Sequence, residues 1–505
     1  MKLSMKEVKG RPIIWLIIIF MLVLALRLYI AFQTPLFNYD AYFNLRQAEH
    51  IRDTGFPLYN DPLSYGGKTQ LFAPLHYYTI AAFSLIMPVE IAAKIVPNIA
   101  AALIIFVIYS MSIKLTKSNK ISLLTSFISG FVPIYFIDIN RASVNYLAIL
   151  LIFLIAYSMM RLNERKYVDY TLIFMFLLVL TTPMAFILVI GLLIYLLLLK
   201  LENFVIEMKE LEVILFFTFL VFWVNLLIYK NAFLAHGLLV IWQNVPVSIL
   251  SNFFGNLGFI QVLGAISIIP LVFGAYAFYS ALHLERNKEV IILLSLGLST
   301  FILLWFKLVD LISGLTFLGM TLVALTAYSL KHINEFIEKS KLHKYEKILQ
   351  ISLLAIFIIT IIPSIWSIAF VSNIGPMNTP AIADIQTLQW AAENTPKTAV
   401  IAAGLEEGDM VAYYGKRKNI MDTNFLLTPG IDQRYDDLNE IYTTDFETKA
   451  IGILNKYHSK YILITKNTLD EYEIGQVAYI TDKECFTLEY YREESYLYKT
   501  DCKIE

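Results

Sequence analysis

Long apolar runs separated by short polar breaks fill the first three-quarters of the chain. Runs near the length needed to cross a bilayer fall at roughly 12–32, 94–114, 121–138, 142–160, 169–182, 184–200, 211–229, 258–281, 290–308, 313–330 and 347–371, predicting eleven membrane helices. Two stretches break the pattern. The first, 33–93, is a long polar loop, and loops of that length are usually functional. Within it LHYYTIAAFSLIMPVEI (75–91) reads as an amphipathic helix on the outer surface, because counting it as a span would move the basic 115–120 loop outside. The second begins after Phe370. There TPAIADIQTLQWAAENT and DFETKAIGILNKYH have helical spacing, while KTAVIAAG and KYILITK are strand-like, which predicts a small α/β domain. The expected architecture is a polytopic α-helical membrane domain (1–371) followed by an extracytoplasmic α/β domain (372–505).

Charge sets the orientation. The loops at 115–120, 161–168, 200–210, 282–289 and 331–346 carry Lys or Arg, most densely around Lys331, Lys339, Lys341, Lys344 and Lys347. With Lys2, Lys6, Lys9 and Arg11 before the first span, this predicts a cytoplasmic N-terminus and an outside C-terminal domain. The first span is longer than a signal-peptide core and has no small-residue cleavage site before Tyr39–Asp40, so it is expected to be retained. Only 16% of residues are charged, against about 25% in soluble domains, which strengthens the membrane assignment. A net charge of −1 gives no electrostatic basis for binding nucleic acid. Cys485 and Cys502 flank a probable hairpin; outside the cell they could form a disulfide, or remain two buried thiols.

Candidate chemistry concentrates in NYDAYFNLRQAEHIRDTGFPLYNDPLSYGG (38–67), with carboxylates at Asp40, Glu49, Asp53 and Asp61. Asp40, just beyond a span, suits a cation ligand or a proton acceptor, and equally an N-cap for the following helix; the roles are compatible. Arg46 and Arg52 have the fork that holds phosphate, or pair with Glu49 and Asp53 along one helix. His76, Tyr77 and Tyr78 suit a sugar or headgroup contact, or an interfacial aromatic belt. Lys94, Asp138, Arg141, Lys307 and Asp310 lie at span ends, as functional groups or anchors. Glu406, Glu407 and Asp409 form an acidic cluster without calcium-loop spacing.

These segments carry a resemblance. Asp40–Arg46, Ala48–Ile51, Gly55–Leu58 and Asp61–Tyr65 are similar to the first-loop patterns D-x-Y-Y-x-L-R, A-E-x-I, G-F-P-L and D-P-x-S-Y of oligosaccharyltransferase catalytic subunits, members of the GT-C glycosyltransferase superfamily. APLHYY (73–78), TPMAF (182–186), VAYYGKR (411–417) and KAIGILNKYHSKYILIT (449–465) extend it. The resemblance implies transfer of a sugar from a polyprenyl (dolichyl) phosphate or pyrophosphate to a polypeptide or glycan acceptor at the outer membrane face. Asp40 would be acceptor-activating base or Mg or Mn ligand. Arg46 would order the first loop or meet the donor phosphate, His76 and Arg141 would lie toward that phosphate, and Glu406 and Glu407 on the acceptor side.

The departures bear on chemistry. The second acidic motif should fall near Ser143–Asn145, the later catalytic Glu at Gln243, W-W-D-Y-G at Gly404–Gly408 and a late Arg at Thr316; the family also has about thirteen spans. Ser143, Asn145 and Gln243 are far weaker ligands than carboxylates, leaving Asp40 alone and tight Mg or Mn binding in doubt. Without both Trp, recognition of an Asn-x-Ser/Thr acceptor has no visible basis. The alternative is a non-catalytic paralogue that binds lipid-linked glycan or supports an active enzyme. A transporter would show broken helices repeated in two halves, and no such repeat is visible.

Overall fold

A computed structural model describes residues 12–253, 258–283, 287–339 and 379–503. The expected span at 347–371 and the N-terminal basic residues lie outside these. The membrane domain contains α1 (Pro12–Phe32), α2 (Ala41–Thr54), a short hairpin of β1 (Asn60–Asp61) and β2 (Lys68–Thr69), α3 (Leu75–Ser84), α4 (Val89–Thr116), α5 (Asn119–Gly130), α6 (Asn145–Met159), α7 (Arg165–Thr181), α8 (Ala185–Leu201), α9 (Met208–His236), α10 (Val247–Phe253), α11 (Phe259–Ile266), α12 (Ile268–His283), α13 (Lys288–Trp305) and α14 (Leu311–Lys339). Among the described residues, five helices are long and apolar enough to cross a membrane, α1, α4, α9, α13 and α14, and α11 with α12 makes a sixth if that pair, bent by 92°, is one span. The chain is an integral membrane protein. The helices α6 and α8 are apolar but shorter.

Burial explains the arrangement. The helix α1 buries the stripe Leu16, Val23, Arg27 and Ala31 against the bundle and turns Ile13, Trp15, Ile18 and Leu22 outward, as a lipid-facing helix does. Gly191 of α8 sits so close to α13 that a Cβ there would lie 3.0 Å from Leu296, so α8 and α13 pack closely. Ser118 and Asn287 cap α5 and α13 with their side chains.

Two expected boundaries shift. The span predicted at 94–114 begins at Val89, and the one predicted at 121–138 stops at Gly130. Pro133 follows and starts a 3-10 turn, Pro133–Phe136, because its ring cannot continue the α5 hydrogen-bond ladder. Residues 137–144 therefore form an irregular turn, and Asp138 leaves the membrane helix to join Arg141 on it.

The C-terminal domain opens with α15 (Ile382–Asn394). Its five-stranded sheet is built from β3 (Val400–Ala402), β4 (Lys418–Asn419), β5 (Ser459–Ile464), β6 (Phe486–Arg492) and β7 (Ser495–Thr500), in the order β4-β3-β5-β7-β6. The strands β4, β3 and β5 run parallel; β5, β7 and β6 are antiparallel. The helices α16 (Ile431–Thr443) and α17 (Glu447–Lys456) precede β5. Cys485 and Cys502 form a disulfide at the base of the β6–β7 hairpin, resolving the two readings left open by the sequence.

The first long loop and this domain share one core: Phe37, Tyr39, Tyr42 and Leu45 pack with Leu388, Met410, Val411 and Tyr413. The Asp61–Tyr65 segment adds to the edge of the sheet, with Tyr65 N donating to the Asn419 carbonyl at 2.9 Å and Asn419 N to the Leu63 carbonyl at 2.9 Å. VAYYGKR is the reciprocal surface. Tyr413 donates to Glu90 at 2.8 Å, Lys416 pairs with Glu49 at 2.9 Å, and Arg417 closes α15 through the carbonyls of Ala392 and Thr395.

Candidate functional site

Asp40 lies between α1 and α2. Its backbone precedes α2, but its side chain makes no cap hydrogen bond, leaving the carboxylate for other work. About half of the side chain is accessible to water-sized groups (55%) although protein surrounds it, so it lines a cleft. Burial raises its pKa above the usual carboxylate range, and the Arg141 charge opposes that rise.

Arg141 is the cation of the site. Its Nε lies 3.8 Å from Asp40 Oδ2 and its Nη1 3.4 Å from Asp138 Oδ1, so one guanidinium bridges two carboxylates. The turn that carries it is fastened throughout. Asp138 Oδ2 accepts from the Ser143 hydroxyl at 2.9 Å and the Asn145 amide at 3.1 Å; the Asn145 amide also donates to Ser313 at 2.8 Å. The Arg141 carbonyl accepts from Asn44 at 3.1 Å, and the Asn140 carbonyl from Asn38 N at 3.1 Å. Asp310 caps the start of α14 by accepting from Ser313 N at 2.9 Å, close enough to Asp138 and Arg141 for both charges to act on it.

The expected residues divide between two places. Asp40, Arg141, Ser143 and Asn145 meet in this cluster, and Glu406 faces it: burial first, and the Asp40 charge second, raise the Glu406 pKa while Arg141 lowers it. His76 is buried beneath, its Nε2 donating to the Ala142 carbonyl at 2.7 Å. Burial pushes its pKa down to about 4, so it is a neutral prop for the turn. Arg46 is engaged elsewhere, bidentately with Asp61 at 2.8 and 2.5 Å, inside the first loop. Gln243 is exposed at the end of a 3-10 turn and takes no part in the cluster among the described residues. Thr316 is buried and bonds back to its own helix at the Ile312 carbonyl.

Glu407 points the other way from Glu406, into the C-terminal domain. Its carboxylate accepts from the hydroxyls of Thr465 and Thr468 and from Gly404 N, and burial pushes its pKa up to about 8. A Cβ at Gly404 would lie 3.3 Å from Glu471 Oε2 and 3.4 Å from Glu407 Oε2, so the place aligned with the family's first Trp is closed to a large side chain. Sequence reasoning left Asp138 open between a functional group and an interfacial anchor, and did not include it among the site residues. Its signal was Pro133, which ends the helix early and frees Asp138 and Arg141 to face Asp40.

The donor set does not suit a divalent metal. Among the described residues, no three acidic or His side chains at this cluster bring ligand atoms within 4.8 Å of one another; the one such grouping is Glu447 with the disulfide-bonded Cys485 and Cys502. Both oxygens of Asp138 are engaged by Arg141, Ser143 and Asn145, and a guanidinium lies between the two carboxylates where a cation would have to sit.

The sequence matches no protein-family model and no curated protein. Solved structures do match. The apo oligosaccharyltransferase of Archaeoglobus fulgidus superposes with a TM-score of 0.74 at 14% identity, covering 99% of this chain and 75% of that one. The same archaeal enzyme, AglB, with an inhibitory peptide and a dolichol-phosphate gives 0.70 at 15%, covering 89% and 69%. A third structure of it is a complex with Zn and sulfate, at 0.61 and 15%, covering 87% and 67%. ArnT from Cupriavidus metallidurans bound to undecaprenyl phosphate gives 0.59 at 11%, covering 96% and 97%. The chain thus shares the fold of these membrane proteins, with a C-terminal α/β domain.

Proposed function

We propose that this protein is a glycosyltransferase that moves a sugar from a polyprenyl (dolichyl) phosphate or pyrophosphate to a polypeptide or glycan acceptor at the outer face of the membrane. One observation carries the reading: the outer loops bring a carboxylate, Asp40, and a guanidinium, Arg141, to one cleft of a GT-C fold. The acceptor's O–H or N–H attacks the anomeric carbon, and the bond from that carbon to the phosphate oxygen breaks. The electron pair leaves on the phosphate, where Arg141 offsets the charge, and the acceptor's proton passes to Asp40 and then to water.

The neighbouring folds support the substrate class, since two of them were solved with dolichol-phosphate and undecaprenyl phosphate. Charge supports the orientation: the end of the bundle opposite Asp40 carries the basic loops, where Lys288 pairs with Glu210 at 2.8 Å and Lys114 with Glu289 at 3.6 Å. The reading puts the N-terminus in the cytoplasm and the disulfide-bonded domain outside, where disulfides persist.

A non-catalytic, lipid-glycan-binding role is favoured by a single fact, the exposed Gln243 in place of a carboxylate. The test is transfer of a radiolabelled sugar from a polyprenyl-phosphate donor pool of the host to endogenous acceptors by purified protein in nanodiscs. Label transferred by the native chain supports the enzyme; donor bound without turnover supports the binding role.

A further inference from the structure

We infer that Arg141 is a built-in cation that does the electrostatic work of a divalent metal, so that the reaction needs no metal ion. The inference rests on the glycosyl-transfer reading and names how that site holds its phosphate. A metal at Asp40 would need both carboxylates with free lone pairs. Asp138 is largely engaged: Oδ2 takes the Ser143 hydroxyl and the Asn145 amide at 2.9 and 3.1 Å, and Oδ1 faces Arg141 Nη1 at 3.4 Å. Arg141 Nε is buried without a hydrogen-bond acceptor, and Asp40 at 3.8 Å is too far to be one. A buried guanidinium N–H left unfilled between two acids fits an anionic oxygen that arrives with the substrate.

The surroundings fix the backbone that carries the guanidinium, while Asp138 and Asp40 face the group itself at 3.4 and 3.8 Å. Arg141 N donates to the Asp138 carbonyl at 3.1 Å, its own carbonyl is held by Asn44, and the next carbonyl is held by His76 at 2.7 Å. Ala142 takes a left-handed backbone, φ 48°, within this clamp. The positive charge is therefore held in place before the phosphate arrives, which is what electrostatic stabilisation of a leaving group requires. The two weak ligands at Ser143 and Asn145 become intelligible: they orient Asp138 toward a guanidinium. A planar fork recognises phosphate oxygens bidentately, without ion dehydration.

Two measurements test this on the full-length protein in detergent. The first is Mn(II) binding by electron paramagnetic resonance, which needs no donor. The native protein should bind no Mn(II) near Asp40 at millimolar metal. Arg141→Gln should acquire a site, since Asp40 and Asp138 are then left facing each other, and Asp40→Asn in that background should abolish it. The second is undecaprenyl phosphate binding with EDTA and with Mn(II). Native affinity should be equal in both. Arg141→Gln should bind about 10- to 100-fold more weakly in EDTA, as expected for loss of a charge-assisted hydrogen bond, with part restored by Mn(II), and Arg141→Lys should fall between. Native Mn(II) binding that disappears in Asp40→Asn, or lipid binding that requires Mn(II), overturns the inference. A chain that binds no lipid in any condition refutes the glycosyl-transfer reading, while the Mn(II) pair alone still decides whether Arg141 occupies the metal's place.

Discussion

Replacing Arg46 by Ala separates two roles that its position in the motif allows. In the structure Arg46 forms a bidentate pair with Asp61, whose side chain is 1% exposed. Asp61 also accepts from Gln70 at 3.0 Å and from Leu63 N at 2.9 Å, and Gln47 links Gln70 to the Leu58 turn. Without the guanidinium, Asp61 keeps two neutral donors and a buried, uncompensated charge. Breaking a buried pair in this way costs about 3–5 kcal/mol. The cost falls on the segment that Asp61 anchors, Asp61–Tyr65, which is stitched to the Asn419 edge of the sheet. If it appears as local opening, the opening equilibrium rises about 150- to 5000-fold, read from amide hydrogen exchange at Leu63, Tyr65 and Asn419. Arg46→Ala with Asp61→Asn should recover part of the loss, because the stranded charge is gone. Unchanged exchange in Arg46→Ala, together with weaker binding of polyprenyl phosphate, would refute this and make Arg46 a phosphate ligand.

Other expectations follow from the same structure. Glu407 has its pKa raised to about 8, above an unfolded value near 4.5, so the folded state holds its proton more tightly. Its contribution to stability is fully present below about pH 4.5 and is lost as pH rises through 8; the melting temperature should fall over this window, and Glu407→Gln should flatten the slope. Arg27, fully buried in α1, donates to Asn98 at 3.0 Å and to the Tyr135 carbonyl at 2.9 Å, just before the Asp138 turn. Arg27→Met should lower kcat by about tenfold or more with little change in donor KM, since it displaces a positioning contact; equal effects on both would point to general unfolding. For Asp40, whose ionised form the Arg141 charge favours, the acid limb of the pH–rate profile should move to higher pH in Arg141→Lys if that variant holds its cation farther from the carboxylate.

The membrane class and the C-terminal α/β domain were legible because they rest on long-range composition and period. An apolar run of bilayer length has few alternatives, and the change after Phe370 is a change of solvent. The centre at Arg141 was harder to read. Asp138 and Arg141 read as functional groups or anchors at span ends on the Asp40 side, and the early stop at Pro133 puts both on one turn beside Asp40. Arg46 shows the converse: its neighbours in sequence, Glu49 and Asp53, suggested local pairing, while its actual partner, Asp61, is joined through a hairpin that periodicity does not register. The Glu406–Glu407 pair likewise read as one acidic cluster, yet consecutive residues on a tight turn point apart. Glu406 faces the cleft, and Glu407 enters a pocket of hydroxyls whose partners lie roughly 60 residues on, at Thr465 and Thr468. Local pattern specifies elements; which side chains meet depends on how turns aim them.

The central claim is that Asp40 accepts a proton during sugar transfer in this cleft. The most direct measurement is turnover of a polyprenyl-phosphate-linked sugar by the purified native chain beside Asp40→Asn, an isosteric change that removes the charge and keeps the shape. The account expects loss of at least about 100-fold in kcat, the scale of a lost general base, with undecaprenyl phosphate still bound by the variant. Equal turnover in both proteins would contradict it.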